Sequence, residues 1–128
     1  MNRQWEMVRN FHEKFNHPIA QTPCLLLEKR VVVRGRWMQE ELDEFYDANN
    51  LYEQADAMID LIYFALGTLV EMGIEPDKIF EIVHNANMSK LWPDGTPHYN
   101  KDGKTIKSAE WEDPDPLIRS AIDEVKAS

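Results

Sequence analysis

Two groups of carboxylates stand at helical spacing in this chain. Glu40, Glu41 and Glu44 form the first; Asp56 and Asp60, with Glu53 just upstream, form the second. On a helix Glu41 and Glu44 are i,i+3 neighbours, and Asp56 and Asp60 lie about 40° apart around the axis. From Trp37 to Asp77 there is no Lys, Arg or His, yet the stretch carries Glu40, Glu41, Asp43, Glu44, Asp47, Glu53, Asp56, Asp60, Glu71, Glu75 and Asp77. Like charges one helical turn apart destabilise by about 0.2–0.5 kcal/mol per pair. Such a stretch therefore either lies open to water or gathers around something positive. Asp56 and Asp60 interrupt the run Ala55-Asp56-Ala57-Met58-Ile59-Asp60-Leu61-Ile62-Tyr63, which is otherwise apolar. Carboxylates on a buried helix do not stay ionised without a partner. A donor set of oxygens alone suits Mg²⁺ or Mn²⁺ better than zinc or copper.

The elements that must position these residues are helical. Trp5, Val8, Phe11 and Phe15 recur at three- and four-residue steps, which predicts an amphipathic helix over 2–15, closed by Asn16-His17-Pro18. A second helix is expected from about Leu25 to Ala48, with Gly35 marking a place where it can bend. Asn49-Asn50 is so short a connection that the next helix, Leu51 to Met72, should pack antiparallel and bring the two acidic groups face to face. Its apolar positions, from Leu51 through Ala55, Met58, Ile59, Ile62, Leu66, Leu69 and Val70, form a stripe wide enough to be buried on more than one side. Gly73 ends it. Pro76 opens a fourth helix running to about Ser89.

Beyond Leu91 the texture turns polar. Trp92-Pro93-Asp94-Gly95 and Asn100-Lys101-Asp102-Gly103 are turn signals, and the flanking segments 97–99 and 104–107 can pair as a hairpin. Leu117 to Val125 reads as a closing helix. The expected fold is all-α: a bundle of four to five helices with a turn-rich or hairpin appendage near residues 92–113, in a single domain spanning 1–128.

Composition narrows the function. The 128 residues carry 23 Asp+Glu against 14 Lys+Arg, a formal net charge of -9, which argues against a nucleic acid polymer as partner. The one cysteine, Cys24, rules out an intramolecular disulfide. Its apolar surroundings predict a buried packing residue. No apolar run is long enough to span a bilayer and no leader pattern opens the chain, so a cytoplasmic protein with no membrane partner is expected. The broad stripe on the third helix predicts self-association. A di-iron bundle would need two Glu-x-x-His pairs, and the chain has one, Glu81 to His84.

Glu40-Glu41-Leu42-Asp43-Glu44 followed by Asp56-Ala57-Met58-Ile59-Asp60-Leu61-Ile62-Tyr63 resembles the all-α nucleoside triphosphate pyrophosphohydrolases, which include MazG, the dimeric dUTPases and phosphoribosyl-ATP pyrophosphohydrolase. Their signature is E-E-x-x-E on one helix and E-x-x-D on the next. The first half matches literally. The second becomes D-x-x-x-D, with Asp60 aligned before the apolar run and Asp56 or Glu53 taking the share of the missing glutamate. Asn87-Met88-Ser89-Lys90-Leu91, Asp94-Gly95-x-Pro97 and Asp102-Gly103-Lys104 extend the likeness over roughly residues 28–113.

The resemblance implies a homodimer or homotetramer that releases pyrophosphate from a nucleotide substrate with Mg²⁺, Mn²⁺ being a possible substitute. Glu41, Glu44 and Asp60 would be metal ligands, with Asp56 a fourth. Glu40 would orient or deprotonate the attacking water, or face solvent. Asn87, Lys90, Lys104 and Lys107 would meet the phosphates, although Lys90 also suits the last turn of a helix and the other two lysines suit plain surface. Arg30, Arg34 and Arg36 are expected to pair structurally. Trp92 and Tyr99 are expected to stack on a base or to anchor the appendage, and the histidines carry no assigned role. The competing class is a non-catalytic acidic helical module that binds a metal or a basic partner.

Overall fold

Helix periodicity and breakers translate directly into α1 (Asn2–Lys14), α2 (Glu28–Asp47), α3 (Leu51–Met72), α4 (Pro76–Met88), the two-residue strands β1 (His98–Tyr99) and β2 (Thr105–Ile106), and α5 (Asp115–Ala127). The computed structural model describes all 128 residues, and the chain forms two compact units, 1–76 and 77–128. The all-α class and the hairpin appendage are as expected. No single helix is long and apolar enough to cross a membrane.

In the first unit α1 packs on α3 through Trp5, Val8, Leu66 and Val70, with Ile19 and Leu69 against them. Asn16 takes a left-handed φ of 60° and turns the chain back after α1. The following segment is pinned to the end of α3, where the Ala20 and Cys24 amides donate to the carbonyls of Val70 (3.2 Å) and Met72 (2.9 Å). Those bonds hold residues 23–27 extended, so α2 begins at Glu28 rather than near Leu25. They also correct the expectation for Cys24: it is exposed, and the neighbouring Pro23 is the buried residue. α3 ends at Gly73, whose φ of 69° lets its amide reach Val70 while Ile74 reaches Leu69, a left-handed cap that glycine adopts without a Cβ penalty.

α2 and α3 form an antiparallel hairpin. Their polar contacts show it: Arg30 meets Glu71, Arg34 meets Thr68 and Phe64, and Glu41 and Glu44 meet Asp60, with sequence separation shrinking toward the Asn49-Asn50 turn. α2 runs as one helix across Gly35. The turn is capped reciprocally. Asn50 Oδ1 accepts from the Glu53 amide (2.9 Å), and the Glu53 carboxylate accepts from the Asn49 amide (3.0 Å). The first half of α3 is less covered than its stripe suggests: within this chain Leu51, Tyr52 and Ile59 are exposed.

The second unit contains α4, the hairpin and α5. β1 and β2 pair His98 with Ile106 and Tyr99 with Thr105. Gly95 and Gly103, both at positive φ, turn the two loops. The side chains of Asp94 and Asn100 accept the turn amides of Thr96 and of Asp102 and Lys104. Trp92 stacks on His98 and donates to the Ile106 carbonyl, and Trp111 donates to the Ala86 carbonyl on α4. Trp92 is thus an anchor of the appendage.

Two glycines separate packing from propensity. A Cβ on Gly67 would collide with the Arg34 guanidinium and stand 2.8 Å from His12 Nε2, whereas one on Gly35 would meet nothing. Gly67→Ala is expected to lower unfolding stability by about 1–3 kcal/mol through overpacking. Gly35→Ala should raise it by up to about 1 kcal/mol through helix propensity. Equal shifts for the two in chemical denaturation would contradict the close crossing at Gly67.

Candidate metal centre

The least exposed positions along α2 recur as Val33-Arg34, Trp37-Met38, Glu41-Leu42 and Phe45, the three- and four-residue rhythm of a face packed on a neighbour. Glu41 therefore stands where packing, not solvation, is the rule. On α3 the matching face carries Ala57, Asp60-Leu61, Phe64, Gly67-Thr68 and Glu71. Two kinds of charge meet along this seam.

Toward the open end of the hairpin the charges are paired. Arg30 makes two bonds of 2.9 Å to the Glu71 carboxylate, and Arg34 Nη1 lies 3.2 Å from its Oε2. Arg34 also donates to Thr68 Oγ1 (3.1 Å) and to the Phe64 carbonyl (2.7 Å). Arg34 and Glu71 are both buried. The cations missing from the acidic stretch thus come, for Glu71, from the turns just upstream of it.

Toward the closed end no cation arrives. One oxygen each from Glu41, Glu44 and Asp60 lies within 4.8 Å of the others. Glu41 Oε2 is buried without a hydrogen-bond partner. Burial first, then a hydrogen bond shared with Glu44, then the charges of Glu44, Asp60 and Asp56 push the Glu41 carboxyl up to about 7. Burial, followed by the charges of Asp56 and Glu44, raises Asp60 as well. A buried, unpartnered carboxylate oxygen among other carboxylates fits a hard divalent cation, which replaces mutual repulsion by shared attraction.

The other sequence candidates divide. Asp56 is exposed yet close enough to act on both Glu41 and Asp60. Glu53 is exposed and accepts the Asn49 amide in the helix cap. Glu40 is exposed and lies outside the group of three. On the second unit Lys90, Lys104 and Lys107 line one cleft of about 410 Å³ with Asn100 and Trp111, and Lys107 Nζ sits 3.9 Å over the Trp111 ring. Asn87, in the last turn of α4, is exposed and is not part of that lining.

Sequence reasoning missed a pocket in the first unit, lined by Phe11, His12, His17, Arg34, Trp37, Tyr63 and Phe64. Its residues come from α1, the turn after it, α2 and α3, so no single periodicity reveals it. The one legible signal is position: Trp37 precedes Glu41 by one turn, and Tyr63 and Phe64 follow Asp60 by one turn.

Residues 8–87 match the family model for phosphoribosyl-ATP pyrophosphohydrolase, a span that holds the whole carboxylate group. A crystal structure of a candidate NTP pyrophosphohydrolase from Exiguobacterium sp. 255-15 is similar over 97% of this chain and 96% of its own, at 29% sequence identity and a TM-score of 0.52. No curated protein matches the chain.

The raised Glu41 pKa has a signed consequence. A carboxyl that titrates near 7 when folded and near 4.5 otherwise holds its proton more tightly in the folded state. Its contribution to stability is full below about pH 4.5 and is lost as pH rises through about 7. In EDTA, the melting temperature of the wild type should therefore fall relative to Glu41→Gln between pH 5 and pH 8, and Mg²⁺ should restore it at pH 8. Parallel melting curves across that range, with and without the cation, would remove Glu41 from the centre.

Proposed function

The chain belongs to the phosphoribosyl-ATP pyrophosphohydrolase family, and from that premise we propose that it is a Mg²⁺-dependent nucleotide pyrophosphohydrolase, with Mn²⁺ as a working substitute. The observation that carries this reading is the buried, unpartnered Glu41 oxygen, with Glu44 beside it on α2 and Asp60 across the hairpin on α3. Glu41, Glu44 and Asp60 hold the cation and Asp56 completes the set. The cation, when bound, neutralises phosphate oxygens that the acidic hairpin would otherwise repel.

The remaining work falls to the chain. Glu40 orients a water for in-line attack at the α-phosphorus and accepts its proton. The new bond joins the water oxygen to that phosphorus, and the bond that breaks runs to the oxygen bridging the α- and β-phosphates. The products are a nucleoside monophosphate and pyrophosphate. Little covalent chemistry is asked of the protein, so rate comes from positioning and charge stabilisation. Lys90, Lys104 and Lys107 supply positive charge for the phosphates, supported by their convergence on one cleft, and Asn87 adds a neutral donor near Lys90.

Pyrophosphate release from a panel of nucleotides tests the assignment. Glu44→Gln and Asp60→Asn should each lower kcat by about 100-fold or more while the fold persists, because a ligand is lost. EDTA should silence the wild type. Glu53→Gln should weaken the helix cap but keep turnover. Alanine at Lys104 or Lys107 should raise KM more than it lowers kcat. Wild-type turnover in both Glu44→Gln and Asp60→Asn would sink the site, and silence of the folded wild type on every nucleotide would favour a non-catalytic acidic module.

Self-association is part of the same reading. Val31 and Val32 on α2 and Leu51, Tyr52 and Ile59 on α3 are each exposed in this chain, apolar surface that a second copy would cover. A homodimer or homotetramer is expected in sedimentation, and Ile59→Glu should shift it toward monomer. A wild type that sediments as a monomer at micromolar concentration would contradict it.

A further inference from the structure

The second unit holds a cleft whose charge runs against the rest of the chain. It measures about 410 Å³, within the size range of small-molecule sites. Lys90 reaches it from just beyond α4, Lys104 and Lys107 from the two ends of β2, and no Asp or Glu lines it. The chain as a whole carries a formal charge of -9, yet none of these three ammonium groups forms an ion pair. An ammonium has three donors and no acceptor. Three of them around one opening suit an anion with several charges.

The frame that carries them is fixed. The Asn100 amide donates to the Lys104 carbonyl at 2.9 Å, and the Lys104 amide returns a bond to Asn100 Oδ1 at 3.0 Å. Trp111 is tied to α4 by its bond to the Ala86 carbonyl at 3.0 Å. Lys107 is held more loosely, its Nζ resting 3.9 Å over the Trp111 ring. At a surface that attraction is weaker than a charge-assisted hydrogen bond to a phosphate oxygen.

The cleft and the carboxylates meet phosphate in different ways. Acids approach an anion only through a cation, whereas lysines bind it directly. Hydrolysis cuts the link between the α- and β-phosphates and leaves the β- and γ-phosphates joined. Groups that grip those two phosphates therefore hold product as firmly as substrate, and the oxygen freed by the cut adds negative charge. Such uniform binding lowers KM without speeding the chemical step, and it delays departure of the product.

We propose that the lysine cleft binds pyrophosphate without any metal, that it retains the pyrophosphate leaving the reaction, and that this product competes with the nucleotide and slows the enzyme. An anion in the cleft draws Lys107 off the indole, so Trp111 reports its occupancy. The inference rests on the pyrophosphohydrolase reading and adds its regulation: turnover is sustained only where a separate hydrolysis converts pyrophosphate to phosphate.

The test begins with calorimetric titration of inorganic pyrophosphate into the full chain in EDTA. Pyrophosphate should bind in the micromolar range and inorganic phosphate at least tenfold more weakly, both weakening with added salt. Lys104→Ala and Lys107→Ala should each raise the pyrophosphate Kd at least fivefold, while Lys104→Arg keeps it within twofold. Glu44→Gln should bind as the wild type does, because the metal centre takes no part. Binding should change tryptophan fluorescence, and Trp111→Phe should lose that change. With dCTP, dUTP, dTTP, dATP and dGTP at fixed free Mg²⁺, added pyrophosphate should inhibit competitively, and an inorganic pyrophosphatase in the assay should straighten curves of monophosphate release. Turnover that pyrophosphate does not slow, or binding that both alanine variants keep, overturns the inference and leaves the hydrolase standing. Silence on every nucleotide overturns the hydrolase reading and the product's role together. The titration in EDTA then supports or overturns the anion site by itself, so the two failures are told apart.

Discussion

The Arg34–Glu71 pair, buried between α2 and α3 and closed by the Gly67 backbone, is the constraint on which the rest of the hairpin depends. A buried ion pair adds little net stability against an apolar alternative, but either partner left alone is costly. Arg34 therefore tolerates few registers. Its guanidinium reaches Glu71, Thr68 and the Phe64 carbonyl at once, and only a residue without a side chain at position 67 leaves room for it. Once that crossing is set, helical geometry carries Glu41 and Glu44 to the level of Asp60. Sliding one helix by a single turn would break the pair and disperse the carboxylates together.

The same seam shows how a stable helix pair accommodates a group that opposes stability. At one end a carboxylate is matched by two guanidinium groups from the same chain. At the other, three carboxylates converge, Glu41 and Asp60 partly buried and Glu44 exposed, and the raised Glu41 pKa records the cost. Residues positioned for chemistry are often the ones that violate packing rules. Here the violation is local, and the apolar contact of α1 with α3 through Trp5, Val8, Leu66 and Val70 offsets it within the same unit.

Much of this was legible along the chain because helices are encoded locally. The breakers at Asn16-His17-Pro18, Asn49-Asn50 and Gly73-Glu75-Pro76 bound helices that periodicity already indicates, and α3 begins and ends where its stripe does. The hairpin follows from two turn signals. Less legible were features decided by partners distant in sequence. Cys24 sits in an apolar run yet is exposed, while its amide is held by the Met72 carbonyl and Pro23 is buried instead. Glu71 reads as one more acid in an uncompensated stretch. Its cations lie 41 and 37 residues upstream, a separation that no local pattern reports.

By itself, then, the amino-acid sequence determined the helices, the short turn that forces two of them antiparallel, and the types of acid that oxygen-only chemistry requires. All of these depend on residues within a few positions of one another. The tertiary structure alone decided what each acid meets: Glu53 is taken by the helix cap, Glu71 by two arginines, and Glu41, Glu44 and Asp60 are left close to one another. It also decided that Phe11, His17, Trp37 and Tyr63 share a pocket beside them. Charge and spacing state what each residue can do. Only the crossing of the helices fixes what each one meets, because the competing partners lie on separate elements and burial is a property of the packed pair.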